Sequence, residues 1–252
     1  MTEAPQRFDP RVSDLAQAGK IRIALYLPMY TQDPGSGEIR GGADGGAVIE
    51  IARALGARAG IEVQLIGYAT PHLALDGLKA GECDIILMGI DPIRTAEVDF
   101  SPPVVQFDYT CLVAAASPIH CFAEVDQPDI RIAAVRNHAS TLTVSRMLKQ
   151  AELVYAETPD ATFEMLQTGR ADVFASTRFA LLKYSAKQPG FRVLEDRYGA
   201  NLLALAVPKG HSRRLAYVSE FIEEAKASGL AQRAIDGAGP HGVTVATTGE
   251  VR

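Results

Sequence analysis

The chain has 252 residues, 47% hydrophobic and 22% charged, a composition typical of a globular protein with one or two cores. Thirty acidic and 25 basic residues give a formal charge of −5, so no overall positive field is available to hold nucleic acid. No apolar run approaches the roughly 20 residues that a membrane span needs, and the N-terminus has no apolar stretch of the signal-peptide kind.

The three cysteines do not indicate a disulfide framework or a zinc site. Cys83, Cys111 and Cys121 are odd in number and lack CxxC spacing or paired histidines. We therefore expect reduced or buried thiols, no metal site and no cofactor.

Alternating strands and helices are predicted in the first half. IRIA at Ile21–Ala24 predicts a strand, 47–59 a helix and 62–66 a short strand. The phrase TPHLALDGLKAGECDIILMG, from Thr70, predicts a helix with an N-cap threonine and a following strand. GGADGG at 41–46 lacks the Walker lysine and the GxGxxG spacing, so it predicts a turn into the first helix.

The second half repeats this order. TPDATFEMLQTGRADVFAST, from Thr158, aligns its Thr, Pro, Gly and Asp with the first phrase. Upstream, IRIA recurs at Ile130–Ala133, followed by a predicted helix over Ser140–Gln150 and a strand over Leu153–Tyr155. Gly81 and Gly169 suit the left-handed exits of the paired helices, and the repeat indicates an internal duplication into two α/β lobes.

Two apolar stretches, Val104–Ala116 and Asn201–Val207, are candidate hinge strands between the lobes. After the second, Ser212 can cap an amphipathic helix that we expect to pack on lobe one. The predicted boundaries are an N-terminal extension over 1–19, lobe one over 20–110 and 205–240, lobe two over 111–204, and a flexible tail over 241–252.

Ligands of open parallel α/β sheets bind beyond the carboxyl ends of the strands. The loops expected to line one cleft are 26–30, 89–94, 137–140 and 176–178.

Within these loops, Arg94 offers a planar fork that matches a carboxylate with two parallel hydrogen bonds. A surface arginine paired with Asp99 or Glu97 would fit the spacing equally well. Ser140 begins a predicted helix, whose unpaired N–H groups and dipole favour an anion, although an ordinary N-cap would look the same.

Aromatic and apolar residues of the first loop, Tyr26, Met29 and Tyr30, suit either a pocket wall or core packing. His138 lies near the same helix start as Ser140, and a lone histidine in a polar loop is more often solvated than functional.

The motif IDPIRTAEVDFSPP and the order of elements over about residues 20–240 resemble the type 2 periplasmic binding proteins, specifically solute-binding protein family 3 of amino-acid ABC importers. The resemblance implies a two-lobed α/β fold, each lobe a mostly parallel sheet flanked by helices, joined by two hinge strands. It also implies a non-enzymatic monomer that binds a small carboxylate or amino-acid-like ligand, an ABC permease partner and a periplasmic location. The missing export segment makes the cytoplasm the alternative location.

The resemblance assigns the ligand carboxylate to Arg94, a second contact to Ser140 and an aromatic contact to Tyr26. The full set of predicted ligand contacts is Arg94, Ser140, Tyr26, Gly89, Asp91, Ala139, Thr177, Met29 and His138.

Three positions depart from the family pattern. Gly89 stands where relatives often carry Ser or Thr, and His138 with Ala139 replaces a Gly-Ser/Thr helix start. Thr177, followed by Arg178, replaces the acidic residue that usually takes an α-ammonium group. We therefore expect a carboxylate or another small anion in place of a zwitterionic amino acid.

Two other functions fit the same resemblance. Cyclohexadienyl dehydratases resemble this fold, and their chemistry needs a general acid, for which Asp91 and His138 are the candidates. A ligand-responsive sensor module would transmit lobe closure to a partner protein.

Overall fold

A computed structural model describes residues 9–16, 19–27, 29–41, 46–136, 138–237 and 242–247. The chain divides into two compact units, and each is described by itself. Unit 1 takes the described residues up to Val105, those from Leu202 to Gly237 and those from Val245 onward. Unit 2 takes Gln106–Asn201 and residues 242–244.

Strands and helices alternate along most of the chain. The strands are β1 (Ile21–Tyr26), β2 (Tyr30–Gln32), β3 (Ile39–Gly41), β4 (Val63–Tyr68), β5 (Ile85–Gly89), β6 (Val98–Phe100), β7 (Val105–Ala114), β8 (Arg131–Val135), β9 (Glu152–Ala156), β10 (Val173–Thr177), β11 (Phe191–Val193), β12 (Gly199–Pro208) and β13 (Val243–Val245). The helices are α1 (Val12–Leu15), α2 (Gly46–Ala59), α3 (Pro71–Lys79), α4 (Pro92–Glu97), α5 (Ala139–Met147), α6 (Pro159–Gln167), α7 (Arg178–Lys187), α8 (Ser212–Ala227) and α9 (Leu230–Gly237).

The two units repeat one sheet order. In unit 1, β1 pairs in parallel with β4 and β5, and β12 runs antiparallel to β5. In unit 2, β8 pairs in parallel with β9 and β10, and β7 runs antiparallel to β10. Each unit therefore places its first strand between its second and third, as the duplicated sequence predicts.

Matched helix ends accompany the matched sheets. The Thr70 hydroxyl accepts the Leu73 N–H at 3.2 Å, and the Thr158 hydroxyl accepts the Ala161 N–H at the same distance. Gly81 and Gly169 close the two turns after these helices with φ of 75° and 68°. The predicted caps and exits are confirmed, because threonine supplies the acceptor and glycine tolerates the left-handed backbone.

Each unit also has its own apolar core. In unit 1 the buried side chains include Leu25, Ile51, Leu55, Ile85, Leu87 and Phe221. In unit 2 they include Cys111, Val113, Ile132, Val144, Val173 and Phe174. No helix among the described residues is both long enough and apolar enough to span a membrane.

The structural division differs in position from the predicted lobe boundaries. The chain crosses between units at 105/106 and 201/202, upstream of the predicted 110/111 and 204/205. Strands β7 and β12 run through these crossings without a turn, so no turn residue marks them. Leu15 of α1 is fully buried in unit 1, within the segment that the sequence treats as an extension. In the predicted tail, β13 pairs with β7, and the rest of that tail lies outside the described residues.

Two predicted helix starts and one predicted end are shifted. Helix α5 begins at Ala139, one residue before the predicted start at Ser140, and its N-cap is His138. The N-cap of α8 is His211, where Ser212 was expected. Helix α5 ends at Met147 because the Asp126 carboxylate accepts the next free N–H groups, at 2.8–3.1 Å from Lys149, Gln150 and Ala151.

Candidate functional site

Helix α4 of unit 1 begins directly beyond the carboxyl end of β5. Asp91 is its N-cap, and the Asp91 Oδ1 accepts the N–H groups of Ile93 and Arg94 at 2.9 and 3.0 Å. Pro92 occupies the first helical position, which needs no N–H donor. The local sequence thus fixes the backbone from which Arg94 projects.

The Arg94 guanidinium is held at two points. Its Nη1 donates to the Gly89 carbonyl at 2.8 Å, and its Nε lies 2.9 Å from the Asp91 Oδ2. Asp99 and Glu97, the alternative partners, pair instead with Lys209 and Lys79. The Arg94 side chain is 27% exposed, and no hydrogen bond from its Nη2 appears among the described residues. This edge is available to an oxyanion.

Tyr26 belongs to the same cluster. It is 9% exposed, and this burial raises the pKa of Tyr26, while the Arg94 charge and a hydrogen bond from the Gly89 backbone act in the opposite direction. The structure therefore brings together four of the predicted contacts: Tyr26, Gly89, Asp91 and Arg94.

Met29 and Tyr30, which follow Tyr26 closely in the sequence, are both buried. Met29 is 6% exposed. The Tyr30 ring lies on Gly67 of β4, and its hydroxyl donates to the Tyr68 carbonyl at 3.3 Å. Tyr30 thus packs against the sheet of unit 1, which is the core-packing alternative offered by the sequence.

In unit 2, Ser140 lies in the first turn of α5 and is 2% exposed. Its carbonyl accepts the Tyr198 hydroxyl at 3.4 Å, and the neighbouring Thr141 hydroxyl donates to the Val135 carbonyl at 2.7 Å. His138, the N-cap, is exposed and makes no side-chain cap hydrogen bond. The first N–H groups of α5, including those of Ala139 and Ser140, are therefore not capped by the His138 side chain.

Thr177 has a local role at the end of β10. Its hydroxyl accepts the Ala180 N–H at 3.3 Å and so caps α7. The Arg178 guanidinium donates to the carbonyls of Leu194, Glu195 and Asp196 at 2.8–3.1 Å. Arg178 is therefore held against its own unit, which sequence spacing did not reveal.

Sequence reasoning also missed an acidic residue beside Thr177. In the register of β10 and β7, Thr177 pairs with Tyr109, the neighbour of Asp108. Asp108 lies 3.0 Å from Arg197 and 3.6 Å from Arg178, and it accepts Gln106 Nε2 at 2.7 Å. Only the strand pairing brings these groups together, so no local motif could have indicated them.

Two residues of the predicted site loops, Pro28 and Asn137, lie outside the described residues. Residues 42–45 of the predicted GGADGG turn do so as well. Among the described residues, no group of three or more His, Cys, Asp or Glu side chains could hold a metal ion.

Comparison with known protein families finds a match over most of the chain. The family model for bacterial extracellular solute-binding proteins, family 3, matches residues 33–237. The chain belongs to this family. The predicted family and the predicted two-lobed α/β fold are thereby confirmed.

Individual relatives differ in what they do. The virulence sensor protein BvgS of Bordetella pertussis is 28% identical over 142 residues, which are 56% of this chain but only 11% of BvgS, so the chain spans about a tenth of that relative. An ancestral cationic amino acid solute-binding protein has a TM-score of 0.70 at 24% identity, covering 90% of this chain and 98% of that one. An ancestral cyclohexadienyl dehydratase has a TM-score of 0.59 at 25% identity, covering 90% and 95%.

Proposed function

We propose that this chain binds a small solute that carries a carboxylate, with Arg94 as the main carboxylate contact. Membership of a solute-binding family and the structural likeness to an amino-acid-binding protein support a binding role. In this proposal the protein is a monomeric, periplasmic component that delivers its ligand to an ABC permease.

The Nη2 edge of Arg94 is the observation that carries the proposal. The guanidinium is fixed by Gly89 and Asp91 through Nη1 and Nε, so its orientation is set before a ligand arrives. A side chain that is already ordered loses less conformational entropy on binding. The remaining donors match the two oxygens of a carboxylate.

The start of α5 supports a second contact. Helices α3, α4, α6 and α7 are capped by Thr70, Asp91, Thr158 and Thr177, whereas the α5 N-cap, His138, makes no side-chain cap hydrogen bond. Uncapped N–H groups and the helix dipole favour a negative charge. The proposal assigns an anion-binding role to the Ala139 and Ser140 segment.

Replacement of Arg94 tests the proposal. We expect Arg94→Ala to weaken carboxylate binding about a hundredfold, because truncation of a hydrogen-bonded charge pair costs a few kcal/mol. Titration calorimetry against amino acids and organic acids measures the affinity. The panel includes organic acids because Thr177 removes the usual acidic partner of an α-ammonium group.

Arg53→Ala is the matched control, since Arg53 is an exposed arginine of unit 1 paired with Glu50 on α2. Unchanged affinity in Arg94→Ala would place the carboxylate contact elsewhere. Arg94→Lys keeps the charge and loses the fork, so an intermediate affinity would identify the planar geometry as part of the recognition.

Two observations support alternative functions. The match to BvgS favours a ligand-responsive sensor module, and the dehydratase structure favours an enzyme. The contacts of Asp91 argue against a general acid, because its Oδ1 accepts hydrogen bonds in the α4 cap and its Oδ2 forms the ion pair with Arg94. Conversion of prephenate or arogenate by the purified chain would support the enzyme over the binding protein.

A further inference from the structure

We propose that Asp91 decides which carboxylates Arg94 accepts, by orienting the guanidinium and by opposing ligands that bring a negative charge without a nearby positive one. This inference rests on the proposed function of Arg94. Asp91 acts through Arg94 and is a positioning residue, and its charge adds selectivity to that role.

The two oxygens of Asp91 have separate tasks. Oδ1 caps α4 through the N–H groups of Ile93 and Arg94. Oδ2 pairs with the Arg94 Nε at 2.9 Å. The Gly89 carbonyl contacts Nη1 of the same guanidinium, so two of its three nitrogens, Nη1 and Nε, have partners in the protein.

Capping alone does not require a charge at this position. Helices α3 and α6 begin with the same arrangement, an N-cap side chain followed by a proline, and their caps are the neutral Thr70 and Thr158. The chain thus shows twice that threonine satisfies a cap of this kind. The Asp91 carboxylate adds a negative charge that the cap does not need, and that charge lies against Arg94.

Among the residues that the structure describes, the Asp91 charge has no second cation to balance it. Among the described residues, Asp91 forms an ion pair with Arg94 alone, while the nearby Asp99 and Glu97 pair with Lys209 and Lys79. The Arg94–Asp91 pair is therefore neutral as a unit. A carboxylate on the Nη1 and Nη2 edge would lie roughly 6 Å from the Asp91 charge, close enough for repulsion that counts even at a partly exposed site.

A ligand with a cationic group beside its carboxylate avoids this penalty. Its positive charge lies within reach of the Asp91 field and offsets the repulsion of its own carboxylate. Asp91 thereby gives unit 1 an acidic group close to the bound carboxylate. Thr177 alone would favour a bare anion, whereas with Asp91 we expect a ligand that carries a cationic group beside its carboxylate.

Matched ligand pairs separate charge selectivity from a structural effect. The probes are L-glutamate with glutarate and L-lysine with 6-aminohexanoate, in which the second member lacks only the α-amino group. Calorimetry measures both members of each pair on the unmodified chain and on Asp91→Thr and Asp91→Asn, which keep a neutral cap acceptor.

We expect the unmodified chain to prefer the α-amino member of a pair that it binds. In both neutral variants the preference should shrink about tenfold, because the deaminated member gains affinity when the repulsion is removed. A purely structural role would weaken both members equally and leave their ratio unchanged. An unchanged ratio in Asp91→Thr and Asp91→Asn would therefore overturn the inference.

Failure of the proposed function gives a different result. If Arg94→Ala binds every probe as well as the unmodified chain does, or if no probe binds the unmodified chain, both proposals fall. If Arg94→Ala loses binding while the ratio is insensitive to Asp91, only the inference falls. Thermal unfolding of Asp91→Thr, compared with Asp91→Ala, which loses the cap acceptor, confirms that α4 is intact.

Discussion

Two arginine–aspartate pairs hold equivalent positions in the two units. The Arg22 side chain binds the Asp84 carboxylate at 2.9–3.0 Å and the Gly81 carbonyl at 2.8 Å. Arg131 binds Asp172 at 3.0 Å and the Gly169 carbonyl at 2.9 Å. In each unit the arginine of the first strand, β1 or β8, thus binds the glycine and aspartate that precede the third strand, β5 or β10.

The environments of the two aspartates differ. Asp84 is fully buried and also faces Arg214, whose side chain is only 3% exposed, at 3.8 Å. The Asp172 side chain is 35% exposed. Burial alone would raise the pKa of Asp172, but the hydrogen bonds and charge of Arg131 outweigh it and hold that pKa below its usual value.

Neutralising these two aspartates should have unequal effects on stability. We expect Asp84→Asn to lower the free energy of unfolding by about 3 kcal/mol, since it leaves the Arg214 charge buried without its carboxylate. Asp172→Asn should cost about 1 kcal/mol or less, because its pair is partly screened by water. Urea unfolding measures both. Equal losses would show that burial does not govern the strength of these pairs.

Residue roles were only partly readable from the sequence. The IDPIR phrase gave Arg94 its expected position beyond β5, and Asp-Pro is itself an N-cap signal that could have placed Asp91. The Nε contact of Asp91 and the carbonyl contacts of Arg178 depend on side-chain rotamers and on residues distant in sequence, so spacing could not give them.

At the scale of elements, an aromatic ring of the hairpin formed by β2 and β3 lies against the unit 1 sheet. Tyr30 covers Gly67 of β4, and a methyl group at Gly67 would approach the ring and hydroxyl of Tyr30 at 2.5–2.8 Å. The absence of a side chain at Gly67 therefore determines where the hairpin lies on β4.

Gly67→Ala should displace Tyr30 and loosen this hairpin. We expect a loss of about 1–3 kcal/mol in the free energy of unfolding, the usual range for an added methyl group in a packed site. Gly237→Ala is the control, because a methyl group there meets no atom of the described part of the chain within 4 Å. If both variants unfold at the same urea concentration, the ring moves aside freely and the hairpin does not depend on Gly67.

Element types followed from the sequence more reliably than element ends did. Threonine caps with a following proline located α3 and α6 correctly. The start of α5 was predicted one residue late, at Ser140 instead of Ala139, because its N-cap, His138, makes no side-chain cap hydrogen bond and is not a usual capping residue.

For the whole molecule, the duplication was visible in sequence because the capping residues and the Arg–Asp pairs recur in register. The points at which the chain passes between units were not visible, because 105/106 is the first peptide bond of β7 and 201/202 lies inside β12, so that a continuous strand covers each crossing. The segment over 242–247 adds a further passage, and its short run of Val and Thr carried no periodic signal.

Two units with separate cores should respond separately to local damage. We expect Asp84→Asn to speed amide hydrogen exchange in β1 and β5 and to leave β8 and β10 unchanged, because its broken contacts all lie in unit 1. Asp172→Asn should show the reverse. Glu38→Gln, at an exposed pair with Arg40, serves as the control. Equal acceleration in both units by either variant would mean that the chain opens as one cooperative body, and that the duplicated halves no longer hold their stability independently.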